Sequence, residues 1–176
     1  MALRLIGYML ALVVGVAATT GCVDPGASDG PERVSVTITD NQGESHRFEL
    51  EPALTDATRI QGLSDRTEIA ADGGMAFFFT RAQQQSFVMR DCPIPIDIVY
   101  VDGSGRVVSH HAMVPEEPQR ETESDAAYNR RLKRYPSRFA VPIVLEFAGG
   151  TIERLGIEEG DVIEIRDLKD WRARAQ

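Results

Sequence analysis

Ile96-Asp97-Ile98-Val99-Tyr100-Val101-Asp102-Gly103-Ser104-Gly105-Arg106-Val107-Val108 spells a strand, a tight turn and the start of a second strand. The β-branched and aromatic residues from Ile96 to Val101 favour extended chain. Asp102-Gly103-Ser104-Gly105 supplies residues that tolerate the positive φ a hairpin turn requires. The return strand then runs from Arg106 to Ala112. Only Asp97 interrupts the apolar run before the turn, so this strand belongs to a covered sheet and not to a surface hairpin. Met75 to Phe79 and Ser86 to Arg90 show the same scarcity of polar interruption, and the three runs together form the expected core.

Outward from this centre the pattern stays β. Val34, Val36 and Ile38 alternate with polar residues, as do Phe48 and Leu50, and Asn41 to Glu44 separates them, which reads as a half-buried hairpin. Val141 to Phe147 and Val162 to Ile165 complete the strands. Thr55 opens a short helix stopped near Gly62, and Thr151 opens a helical turn stopped by Gly156. Pro115 to Arg138 is acidic first and basic second, with Tyr128 and Leu132 one turn apart, which predicts a short surface helix inside a long charged loop. Seven or eight short strands with two or three short helices predict a mainly β (α+β), compact, antiparallel sandwich or barrel.

Before this domain the sequence has another character. Arg4, the apolar stretch Leu5 to Ala18, and Ala18-Thr19-Thr20-Gly21-Cys22 have the layout of a bacterial lipoprotein signal, cleaved to leave a diacylated Cys22. The apolar run is short for a bilayer span, and two acyl chains suffice for stable anchoring. The expectation is therefore an exported protein tied to a membrane by its lipid, in the outer membrane if the cell is diderm, since Val23 and not Asp follows the cysteine. Boundaries follow: a signal at 1–21, a tether at 22–32, one β-rich domain at 33–167 with the charged insertion at 115–138, and a C-terminal tail at 168–176.

Composition agrees with one exported domain. Hydrophobic residues make up 43% of the chain, enough for a core without disulfide support. With Cys22 lipidated, Cys92 is a lone thiol in an oxidising compartment, which predicts that it is buried. The formal charge is −8, and loss of the signal, whose one charged residue is Arg4, makes it −9. Bulk electrostatics of that sign does not attract nucleic acid or anionic lipid.

Several fragments follow one another in a recognisable order. They are Thr55-x-x-x-Arg59-x-x-Gly62-Leu63, Gly74-Met75-x-Phe77-x-Phe79, Ser86-Phe87-x-Met89-Arg90, Pro95-x-Asp97-Ile98-Val99-Tyr100-Val101-Asp102-x-x-Gly105-Arg106-Val107-Val108, Val144-Leu145-Glu146 and Leu155-Gly156-Ile157-x-x-Gly160-Asp161. Together they resemble the domain of unknown function family 192, over roughly residues 34 to 166. The resemblance implies a compact β-rich single domain and carries over no catalytic mechanism. The chain departs from the family pattern in two places: Phe87-Val88-Met89-Arg90-Asp91-Cys92 stands where the family usually reads Phe-Trp-Met-Lys-Asn-Thr, and Ser64 stands where it usually has Met.

Candidate site residues are the charged groups inside greasy segments. Asp97 needs a partner if it is buried, because an unpaired buried charge costs several kcal/mol or takes up a proton. Arg59 and Arg90 are the natural partners, and an ion pair locking helix to sheet competes with ligand binding or acid–base work as its role. Glu146 poses the same question. If Asp97 and Glu146 faced one cleft they would suit a two-carboxylate hydrolase acting on envelope glycan or peptide.

Other chemistries find less support. Met75, Met89, Cys92, His110, His111 and Met113 are the soft and imidazole candidates for a metal or thiol protein. No two share ligand spacing on one element except His110 and His111, which alternation sends to opposite faces, so no metal and no cofactor is assigned. Ser64, Ser86 and Ser109 lack a nucleophile elbow, and Gly149-Gly150 lacks the Lys of a phosphate loop. The leading expectation is a non-catalytic envelope lipoprotein domain that binds a small ligand or a partner protein in a cleft lined by Arg59, Met89, Arg90, Asp97 and Glu146.

Overall fold

The computed structural model describes residues 30–176. The signal expected at 1–21, Cys22 and nearly all of the tether lie outside them. Among the described residues, seven strands and four short helices follow in the order β1 (Val34–Thr39), β2 (Ser45–Ala53), α1 (Asp56–Gln61), β3 (Gly74–Phe87), β4 (Ile96–Val101), β5 (Val107–Met113), α2 (Asp125–Arg131), β6 (Tyr135–Ala148), α3 (Thr151–Leu155), β7 (Glu164–Ile165) and α4 (Leu168–Arg174). None of these helices is long and apolar enough to cross a membrane.

All seven strands form one sheet, ordered β5-β4-β6-β3-β2-β1-β7. It is mixed, not wholly antiparallel: β2 and β3 run parallel, pairing Glu51 with Met75 and Ala53 with Phe77. The chain reaches that pairing through α1 and its following loop, the crossover a parallel neighbour requires. The sheet curls into a half-barrel. A bridge between Arg106 and Val162, backed by Val107 N–H donating to the Asp161 carbonyl at 2.8 Å, ties the start of β5 to the chain entering β7. The expected alternatives thus resolve toward the barrel.

Core residues fall into two clusters on the two faces. One holds Val36, Phe48, Phe78, Val99, Val107, Leu145 and Ile165 among others; every strand contributes to it, so it lies inside the curl. The second, with Phe77, Met89, Ile96, Ile98, Tyr100, Met113, Tyr135 and Val144, covers the opposite face of β3, β4 and β6. Strand β4 and the Val141–Phe147 stretch of β6 are therefore buried on both sides, which is why their sequences are near-continuous apolar runs. Gly74 allows the β3–β6 pairing to form. Its φ is +143°, and a Cβ there would fall 2.0 Å from the Glu146 carbonyl oxygen.

Three expectations change. Met75–Phe79 and Ser86–Arg90 are not separate strands: Gly74 to Phe87 is one strand broken by a bulge, since Phe78 pairs with Ile143 and the next pairing is Gln83 with Val141. The surface helix predicted in the charged segment is α2, but Tyr135 onward belongs to β6 because Tyr135 pairs with Phe87 and buries its ring. The tail at 168–176 is the helix α4, whose Trp171 stacks on Phe78 with centroids 6.0 Å apart. Its Lys- and Arg-rich composition hid one apolar anchor.

Candidate functional site

Glu146 sits near the C-terminal end of β6, opposite Met75 of β3 and Ile98 of β4, and so projects from the face that carries Val144 and Ile98. It is 5% exposed. No hydrogen bond or ion pair from the described residues reaches its carboxyl. Burial alone pushes its pKa up to about 8, because an ionised carboxylate loses its hydration there with nothing in exchange.

The carboxyl lines a cleft of about 350 Å³ between α1 and its following loop, the bulged stretch of β3, and the link from Val88 to Cys92. Leu63, Phe77, Phe79, Phe87, Met89, Ile96 and Met113 form the apolar part of its wall, and Ile60 stands 83% exposed beside the opening. Gln85 also lines it. Its backbone N–H donates to Ser137 Oγ at 3.0 Å, while its side-chain Nε2 is buried without an acceptor. Cys92 is half-buried at the same wall, donating to the Arg90 carbonyl at 3.3 Å. Burial first and the Glu146 charge second raise its thiol to about 11.

Four of the five anticipated residues, Arg59, Met89, Arg90 and Glu146, border this one cleft. The two arginines are engaged elsewhere. Arg59 reaches out of α1, whose Thr55–Thr58 capping box and Asp56 fix its first turn. It donates to the carbonyls of Leu54 at 2.9 Å, Phe78 at 2.8 Å and Gln176, and to Asp56 at 2.8 Å. Arg90 donates to Asn129 Oδ1 at 2.7 Å, lies over the Tyr128 ring, and approaches Asp91 and Asp125 at 3.4 and 3.6 Å. It thereby ties α2 to the cleft.

Asp97 is not a cleft residue, and neither arginine is its partner. Gly150, at the N-cap of α3, has no side chain, and Asp97 takes that role from β4 by accepting the Ile152 N–H at 2.7 Å. Burial raises its pKa, opposed by the amides of Ile152, Gly150 and Thr151. Asp97 pairs with Phe147 and Ile98 with Glu146, so the two carboxylates leave opposite faces of the sheet and cannot share one substrate. The two-carboxylate hydrolase reading fails on that geometry. Among the described residues no three His, Cys, Asp or Glu side chains gather into a metal-sized group.

Residues 37–165 match the protein family DUF192, described as "Uncharacterized ACR". The chain belongs to the DUF192 family. No curated protein matches it. Solved structures similar to this chain include the following two. A protein of unknown function from Novosphingobium aromaticivorans DSM 12444 is 33% identical with a TM-score of 0.63, covering 75% of this chain and 84% of its own. A protein from Sinorhizobium meliloti 1021, whose description suggests a transcription regulator, is 27% identical with a TM-score of 0.63, covering 79% and 98%.

Two of the positions at which this DUF192 chain departs from the family pattern, Ser64 and Val88, line the cleft. Small residues at these two positions leave space that Met and Trp side chains would occupy. Sequence reasoning did not find Gln85. Its only trace is the run Gln83-Gln84-Gln85, in which one amide of three is buried. Phe77, Phe79, Phe87 and Met113 looked like ordinary core, and a wall residue and a core residue differ only in what occupies the far side.

Proposed function

We propose that this DUF192 domain is a non-catalytic module of the cell envelope, tethered through lipid on Cys22, that holds a small molecule in the cleft over Glu146. One observation carries the reading: the Glu146 carboxyl, 5% exposed and without a hydrogen-bond or ion-pair partner among the described residues, lines the cleft. Native folds pair nearly all such groups, and a ligand offering complementary atoms removes that cost. A thiol held near 11 is a poor nucleophile at neutral pH, which favours binding over covalent chemistry. The formal charge of −8 argues against carrying the regulatory role suggested for the Sinorhizobium meliloti relative over to this chain as DNA binding.

A thermal-shift screen of small amphiphilic molecules against the full chain tests the reading. Binders raise Tm in the wild type and lose that effect in Glu146→Leu; a broad screen without a binder counts against it. The tether is tested separately, by mass spectrometry of the membrane fraction. A diacylglycerol adduct on Cys22, absent from Cys22→Ser, is expected, and an intact unmodified N-terminus would remove that part.

A further inference from the structure

We infer that the cleft receives a small organic cation, a primary or secondary ammonium on an apolar body of about one aromatic ring, with the ammonium seated on Glu146. This inference rests on the ligand-binding reading above and gives the ligand its chemical class. Glu146 is the buried acid of the cleft, and the two cations that border it are already committed. Arg59 is held by three carbonyls and Asp56, and Arg90 by Asn129, Asp91 and Asp125. An anionic ligand would therefore meet a carboxyl with no free guanidinium to offset it. A wholly apolar ligand would seal that carboxyl away from water without a partner, which is costly.

An ammonium answers both problems, and the walls suit it. Phe77 and Phe87 present rings whose centroids lie 5.1 Å apart, and Met89 and Met113 add polarisable sulfurs. Such surfaces attract cations. The acidic surface, at a formal −8, raises the local concentration of cations.

The charged and titratable groups around Glu146 are Asp56 and Arg59 from α1, Arg90 and Cys92 from the link, Tyr100 from β4, and His111 of β5, which pairs with Ile98 across the same face. Burial raises the acids Cys92 and Tyr100, and Glu146 adds to both shifts. Both stay neutral through the physiological range, so neither adds a negative charge beside Glu146 there. Since Glu146 titrates at about 8 in the free protein, an ammonium must draw a proton off it. Apparent affinity then scales with the ionised fraction and rises about 50-fold from pH 6 to pH 8.

Calorimetric titration of the full chain in non-ionic detergent, with phenethylamine, 2-phenylethanol and 3-phenylpropionate as probes, decides the matter. Phenethylamine is expected to bind about tenfold or more tighter than the alcohol, to tighten by about 50-fold from pH 6 to 8, and to release a proton into the buffer. Glu146→Gln should bring the amine down to the level of the alcohol and remove the pH dependence. If the alcohol binds as well as the amine at both pH values, the ammonium assignment falls while the ligand-binding reading stands. If none of the three binds, both fall. The wild-type pH series stands whether or not Glu146→Gln folds.

Discussion

Asp97 and Glu146 lie on neighbouring strands one residue out of register, Asp97 opposite Phe147 and Glu146 opposite Ile98, and their carboxyls consequently leave opposite faces of one sheet. That single step separates two roles. On one side a carboxylate finds backbone amides at the start of α3; on the other a carboxyl finds none and faces a cleft. Two acids with similar sequence surroundings are thus a structural cap and a candidate ligand group.

Replacing Asp97 should cost stability and nothing else. Asp97→Ala leaves the first turn of α3 without its acceptor, a loss of about 1–2 kcal/mol, whereas Asp97→Asn keeps an acceptor and costs less. Urea unfolding measures both. The cap assignment would be wrong if Asp97→Ala unfolded like the wild type, or if it altered binding in the cleft while leaving stability intact.

Glu146 makes stability depend on pH with a definite sign. The folded chain keeps the Glu146 proton up to about 8, against an ordinary value of 4.5 for the unfolded chain. Its contribution is therefore fully present below pH 4.5, declines as pH rises, and is gone above about 8, at a slope of no more than about 1.4 kcal/mol per pH unit. Glu146→Gln cannot ionise and should lose that component of the decline, becoming the more stable protein at pH 8 to 9. Chemical denaturation at several pH values reads this directly, and parallel curves for the two proteins would contradict it.

The sheet was legible because its central strands are covered on both faces and so consist of uninterrupted branched and aromatic residues. Four of five site residues were legible for a related reason, since charge inside such a run is conspicuous. Pairing was not legible. Asp97 looked like a partner for Arg59 or Arg90, but its true partners are backbone amides after Gly149-Gly150, which no side-chain pattern announces. The β3 bulge and the α4 anchor were hidden likewise, the first because register is set by the opposing strand, the second because a single Trp171 carries the packing.

Arg59 should behave as a clamp on the segment that follows α4 and not as a ligand group. It donates to Leu54, Phe78 and Gln176 carbonyls together, so Arg59→Ala leaves the Leu54 and Phe78 acceptors in a poorly solvated place and is expected to cost about 2–3 kcal/mol. Trp171 is the single tryptophan of the chain and stacks on Phe78, so its fluorescence reports α4 docking. In Arg59→Ala its emission should shift red at denaturant concentrations where far-ultraviolet circular dichroism still shows the sheet. Coincident transitions would mean that α4 is not held independently by this clamp.

Cys92 should be a slow thiol whose reactivity tracks the occupancy of the cleft. Its thiol is held near 11, by burial first and by Glu146 second, so at pH 8 only a small fraction is thiolate and disulfide-exchange reagents should attack it far more slowly than a free cysteine. In a Cys22→Ser chain, where Cys92 is the one remaining thiol, the rate should keep climbing to pH 10 and above. Glu146→Gln removes a nearby negative charge, lowers the thiol pKa and should speed the reaction at pH 9. A ligand in the cleft should slow it in the wild type by covering the sulfur. Rapid labelling at pH 7, with no response to Glu146→Gln, would show that Cys92 is neither buried against this wall nor coupled to Glu146.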